Sequence, residues 1–112
     1  MALKMNRSGR SAAMQVLEVK HHLQSKDKYI GALTEYGKTK VIQLQLAAGN
    51  EIKEHRTNAD ALIIVQKGRV VFAFGEQQVE LTPDKLLHIL PDEPHSLRAL
   101  EDAEALLIRT ER

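Results

Sequence analysis

An all-β barrel or sandwich is the fold class this sequence predicts, and three observations predict it. Short runs rich in Val, Ile, Leu, Phe and Thr recur at nearly even spacing along the chain. Turn signals built from Gly, Pro, Asn and Asp stand between them, and no long stripe of helical period crosses the sequence. A chain of 112 residues fits one domain. At that size folding buries roughly two-thirds of the unfolded surface, so a core needs no covalent staple.

The elements follow in order. Residues 1–13 carry Lys4, Arg7 and Arg10 with no acid, a composition shared with organelle transit peptides but read here as a flexible basic tail. A helical turn is expected around 11–17 and a β-rich run at 14–20. Further runs are expected at 29–33, 40–46, 61–66, 69–74, 77–81, 86–89, 96–100 and 105–109. Lys67-Gly68 reads as a tight hairpin turn between two of them, and Gly75-Glu76 as a second. Residues 14–112 are therefore expected to form a single barrel domain.

Periodicity bears on assembly. Val41-Ile42-Gln43-Leu44-Gln45-Leu46 alternates, one face apolar and the other carrying Gln43 and Gln45. Residues 61–65 and 70–74 are apolar on both faces. A barrel strand has one face inside and one in water, so such strands need cover from outside. Either a second subunit supplies it, making a homodimer, or the N-terminal segment folds back over that face.

Composition excludes several classes. There is no cysteine, which removes disulfides and thiolate metal sites and fits a cytoplasmic protein. A net charge of +1, scattered basic residues, two Phe and two Tyr offer neither a basic patch nor a stacking platform for nucleic acid. No run approaches the ~18 apolar residues of a membrane span.

Two stretches carry chemistry. In the first, 49–68, Gly49 is followed by five residues and His55, then Thr57, Ala61 and a closing Gly68. In the second, 84–99, Asp84, Leu90, Pro91, Asp92 and Ala99 surround His95. Together they resemble the two motifs of the cupin family. In that family the first motif runs from a Gly through His-x-His and a Glu to a second Gly, and the second motif is a Gly- and Pro-containing turn leading to a His and an Asn. The resemblance covers about 40–109 and implies a cupin-type double-stranded β-helix, a jelly-roll barrel, with His55 and His95 in one pocket. Asp replaces Gly at 84 and 92, a mild change because Asp tolerates left-handed backbone.

The same resemblance implies a divalent metal held by two His and a Glu from the first motif and one His from the second. Only His55 and His95 remain of that set, since Thr57 and Ala61 fill the other positions. A third ligand would have to come from His88, on the strand leading to His95, or from Glu51 or Asp60 beside the first motif. Metal enzymes normally supply three or more protein ligands. Thr57 and Ala61 are expected to line the pocket, Thr57 through the period of two that sets it on the face of His55. Gly49, Gly68 and Pro91 are read as turn residues, and His21 and His22 as solvated.

Three functions are compatible with these residues. A metal-binding cupin would use His55 and His95 to hold an ion against a small oxygenated substrate. A metal-free isomerase or epimerase would use one imidazole as general base; Tyr29 and Tyr36 precede the motifs and are not assigned to the pocket. A non-catalytic module would bind a metabolite as a sensor. The fold alone does not choose among them.

Overall fold

The structure is a computed structural model that describes residues 13–112. The tail expected at 1–13 lies outside the described residues except for Ala13. Nine strands follow, β1 Lys28–Tyr36, β2 Thr39–Leu46, β3 Glu51–His55, β4 Ala59–Lys67, β5 Val70–Phe74, β6 Gln77–Leu81, β7 Leu86–Ile89, β8 His95–Ala99 and β9 Ala103–Glu111. No helix occurs among the described residues, so none is long and apolar enough to cross a membrane.

The strands form two antiparallel sheets packed face to face. One has the order β1-β2-β9-β4-β7 and the other β3-β8-β5-β6. The core lies between them. Leu44, Leu46, Ile63 and Val65 point inward from the five-stranded sheet to meet Phe72, Leu81 and Leu97. Ile63 and Phe72 are almost fully buried. Burying side chains of that size contributes about 1.5–3 kcal/mol each, which is why the alternation sets the register so firmly.

Every expected run from residue 29 onward lies on a strand, and two expectations fail at the N-terminal end. Residues 14–20 make only an isolated bridge at Gln15, and no helical turn forms in the described part of 11–17. Residues 14–18 stay exposed, and the Lys20 carbonyl at the end of this segment bonds to the sheet. Sequence reading also missed β3, whose Glu-Ile-Lys-Glu-His run has one apolar residue, Ile52, packed against the core.

Lys67-Gly68 is not a hairpin turn. β4 pairs with β7 and β9, and β5 pairs with β6 and β8, so the chain leaves one sheet and enters the other at this point. Gly68 makes the corner with φ +82°, and a Cβ there would collide with the Asp102 carbonyl and sit 2.9 Å from Ala103 Cα. Two short apolar strands look like a hairpin in sequence, yet each buries more by facing the other across the core. Gly75-Glu76 does join paired strands, Phe74 opposite Gln77.

The polar face of β2 is also not in water. Gln43 and Gln45 are 3% and 0% exposed. Both amides donate to the Lys20 carbonyl, Gln45 at 2.7 Å, and the His22 N–H donates to Gln45 Oε1 at 2.7 Å. Gln45 also donates to Glu104 at 3.1 Å, and His21 Nδ1 reaches the same carboxylate at 2.7 Å. His22 is thus engaged rather than solvated, whereas His21 is solvated as expected. His21 is 70% exposed yet paired with Glu104, and His22 stacks on Tyr29 with centroids 3.6 Å apart. Buried amides need partners, and the segment before β1 supplies them, so it folds back over this part of the sheet.

Candidate functional site

The site is built where β3 and β8 pair. Glu51 faces Arg98, Ile52 faces Leu97 and His55 faces His95, with an irregularity between Ile52 and His55 that sets three residues against two. Without that bulge the period of two would turn His55 to the outer face. With it His55 joins Ile52, Leu97 and His95 on the inner one. The two imidazoles stand 4.3 Å apart, centroid to centroid, inclined at 60°.

His95 begins β8 after the turn at 91–94. Asp92, at the position of a family glycine, has φ 64°, and it alone among the described non-glycine residues has positive φ. Its N–H donates to the Thr57 carbonyl at 2.7 Å, which binds the second motif to the first. Asp84 does not use the left-handed region; its carboxylate accepts from the Thr82 hydroxyl, which holds its pKa below the usual carboxylate value. Thr57 does not lie on the strand with His55. It sits in the loop after β3, where its hydroxyl donates to the Ala59 carbonyl at 3.3 Å.

Each site imidazole is oriented by its own backbone. His55 Nδ1 donates to the Lys53 carbonyl at 3.0 Å and His95 Nδ1 to the Glu93 carbonyl at 2.8 Å. A carbonyl only accepts, so Nδ1 carries the proton, and in the neutral ring Nε2 offers a lone pair. His95 is 4% exposed and lies 6.4 Å from Phe72 and 6.3 Å from Phe74 between ring centroids. That burial pushes its pKa below the ordinary imidazole value; the Glu93 hydrogen bond opposes the shift and the His55 charge adds to it. His95 is therefore a neutral acceptor at neutral pH. His55 is exposed at the rim.

Between the sheets these residues border a cavity of about 180 Å³. His55, His95, Thr57 and Ala61 all line it, with Ile42, Leu44 and Phe72 among its apolar walls. Arg109 lines it too, from the inner face of β9, and sequence reading missed it. The signal was present, for Arg109 is two residues beyond Leu107 and continues its face out of an apolar strand.

His88 does not join the imidazole pair. It pairs with Leu62 on the outer face of the five-stranded sheet, and its Nε2 donates to Asp60 at 2.7 Å. Asp60 also accepts from Arg112 at 2.8 Å. Arg112 first and His88 second hold that carboxyl at a pKa of about 2. Glu51 lies in register with Arg98, outside the cavity. Among the described residues no group of three or more His, Cys, Asp or Glu side chains could hold an ion. The donor set at His55 and His95 thus falls short of the three protein ligands a resident metal requires. Neither tyrosine lines the cavity; Tyr36 is exposed and Tyr29 stacks on His22.

Two facing antiparallel sheets with an imidazole pair beside an apolar cavity define a small jelly-roll barrel with an internal cavity. The chain belongs to the cupin family, whose domain model, described as "Cupin domain", matches residues 43–109. Among solved structures it is similar to a cupin superfamily protein from Desulfitobacterium hafniense, with 18% identity, a TM-score of 0.72 and 100% of each chain covered. It is also similar to an RmlC-like cupin family protein with a double-stranded β-helix fold from Methanocaldococcus jannaschii. The identity there is 13% and the TM-score 0.75, with 90% of this chain and 94% of that one covered. An HTH_3 family transcriptional regulator from Vibrio cholerae matches 77% of this chain over 52% of its own, at 20% identity and a TM-score of 0.67. These likenesses establish the fold. Comparison with curated proteins gives no match.

Proposed function

We propose that this cupin binds a small organic molecule between its two sheets, against His55 and His95, without a resident metal. One observation carries the reading: two imidazoles, each tied through Nδ1 to a backbone carbonyl, flank an apolar cavity with their Nε2 atoms uncommitted. Ligand sites are typically concave and apolar with a few placed polar groups, and this cavity has that composition. Its volume of about 180 Å³ is below the roughly 300 Å³ at which drug-sized sites begin, so the ligand is small. Two imidazoles alone also make a weak, exchangeable metal site, so purified protein is expected to carry at most substoichiometric metal that mild chelation removes. The protein assembles as a homodimer through the outer face of the five-stranded sheet.

A second reading is favoured by one observation, the burial that keeps His95 neutral with its lone pair available. Such a ring is a general base for removing a proton next to a carbonyl. A metabolite screen followed by backbone amide shifts tests the main reading. Hits are expected to move Thr57 and Ala61 and to lose that effect in the His55→Ala/His95→Ala double variant. Hits that bind the double variant as well as wild type overturn it. Turnover of a hit would promote the second reading.

A further inference from the structure

Arg109 gives the cavity a charged wall. On β9 the inward positions are Ala103, Ala105 and Leu107, all within or against the core, and Arg109 continues that row towards the barrel mouth. Arg109 borders the cavity from the five-stranded sheet, opposite the sheet that carries His55 and His95. No Asp or Glu lines the cavity, so its walls hold one permanent charge, a positive one.

That charge has no partner among the described residues. Arg69 is bonded to Glu80 and Glu101, and Arg112 to Asp60. Arg56 and Arg98 are exposed to solvent, whereas Arg109 is half-buried. Lys40 stands beside it in register, and Arg109 also borders a second recess of about 130 Å³ together with Glu35 and Glu111, neither of which is bonded to it. A half-buried arginine beside an apolar cavity is costly unless something anionic meets its charge, and a guanidinium's planar fork matches a carboxylate with two parallel hydrogen bonds.

Resting on the small-molecule reading above, we propose that the cavity binds a short-chain carboxylate. Its anionic end meets Arg109, its apolar body lies among Ile42, Leu44 and Phe72, and its far end reaches the imidazoles. With the Thr57 hydroxyl already donated to the Ala59 carbonyl, one guanidinium supplies too few donors for a more heavily hydrated phosphate. A hydrogen-bond donor at the far end of the carboxylate, such as a hydroxyl, would complete Nε2 of His95.

The test uses matched pairs that differ only in charge: 3-methylbutanoate against 3-methylbutanamide, and 4-methylpentanoate against 4-methylpentanamide. Affinities are measured by calorimetry, with the Thr57 and Ala61 amide shifts locating the site. Wild-type protein is expected to bind each carboxylate about ten- to a hundredfold tighter than its amide, the worth of a charge-assisted pair. Arg109→Gln is expected to erase that preference by weakening the carboxylate alone, and Arg109→Lys to restore part of it. Equal affinity for carboxylate and amide in wild type overturns the carboxylate assignment and leaves the pocket standing; this arm needs no variant to fold. An unchanged preference in Arg109→Gln overturns the role of Arg109. If neither member of any pair moves Thr57 and Ala61 at millimolar concentration, this inference falls, while the small-molecule reading is decided by the metabolite screen.

Discussion

His55 and His95 face one another across β3 and β8 as a cross-strand pair, their rings 4.3 Å apart and inclined at 60°. The bulge before His55 makes the pair, and the turn led by Asp92 delivers its second member. Because both Nδ1 atoms are tied to backbone carbonyls, neither ring is free to rotate its lone pair out of the site.

The burial of His95 makes stability depend on pH in a defined direction. Its folded pKa is depressed below the ordinary 6.5, so below that value the unfolded state takes up the proton first. The contribution is fully present above pH 6.5 and is lost as pH falls from there through the lower folded value. Denaturation midpoints measured between pH 7.5 and about 5 are expected to fall with pH in wild type. The slope should flatten in His95→Gln, which cannot titrate. An equal slope in both proteins would place the pH dependence elsewhere.

Gly68 is the corner between the sheets, with φ +82° and the backbone of Asp102 and Ala103 against it. Gly68→Ala is expected to cost about 2–4 kcal/mol, combining left-handed strain with a backbone clash. Gly49→Ala has positive φ but open space around it, so it should cost less, about 1 kcal/mol. Urea denaturation of the two variants checks the order, and a milder effect at Gly68 would contradict the corner.

Gln45 ties the segment before β1 to the sheet, donating to the Lys20 carbonyl and accepting from the His22 N–H. Gln45→Leu removes both bonds and is expected to destabilise the fold by about 1–3 kcal/mol. Hydrogen exchange at the His22 amide should quicken more than exchange at Ile63. Unchanged protection at His22 would show that other contacts hold the segment down.

The outer face of the five-stranded sheet keeps Leu62, Ile64, Leu106 and Ile108 half-buried and Leu86 64% exposed. Val71 and Ala73 of β5 need no such cover, because Glu80, Arg98 and Gln78 are their cross-strand neighbours. Sedimentation velocity at micromolar concentration is expected to show a dimer, and Ile64→Asp/Leu86→Asp a monomer. A monomeric wild type refutes the assembly.

Much of this was legible in residue order. Alternation in 40–46 marks a strand because burial of every second side chain imposes that period, and the short apolar runs on β4, β5 and β9 mark strands by their length and the turn residues that bound them. The spacing of Gly49, His55, Gly68 and His95 carried the family, and the Asp at 92 carried the left-handed turn. β3 was not legible, since a polar strand held by one inward Ile52 and by pairing to β8 has no local signature.

What the sequence determined by itself is therefore the local part of the molecule: strand periods, turn chemistry and the two histidines that the motifs single out. The tertiary structure decided every matter of which face meets which. It sent β4 and β5 to different sheets, covered Gln43 and Gln45 with the preceding segment, turned His88 outward to Asp60 and turned Arg109 inward to the cavity. The reason is physical. A period of two says that a strand has two faces, but the choice between them is made by the summed burial and hydrogen bonding of partners distant in the chain.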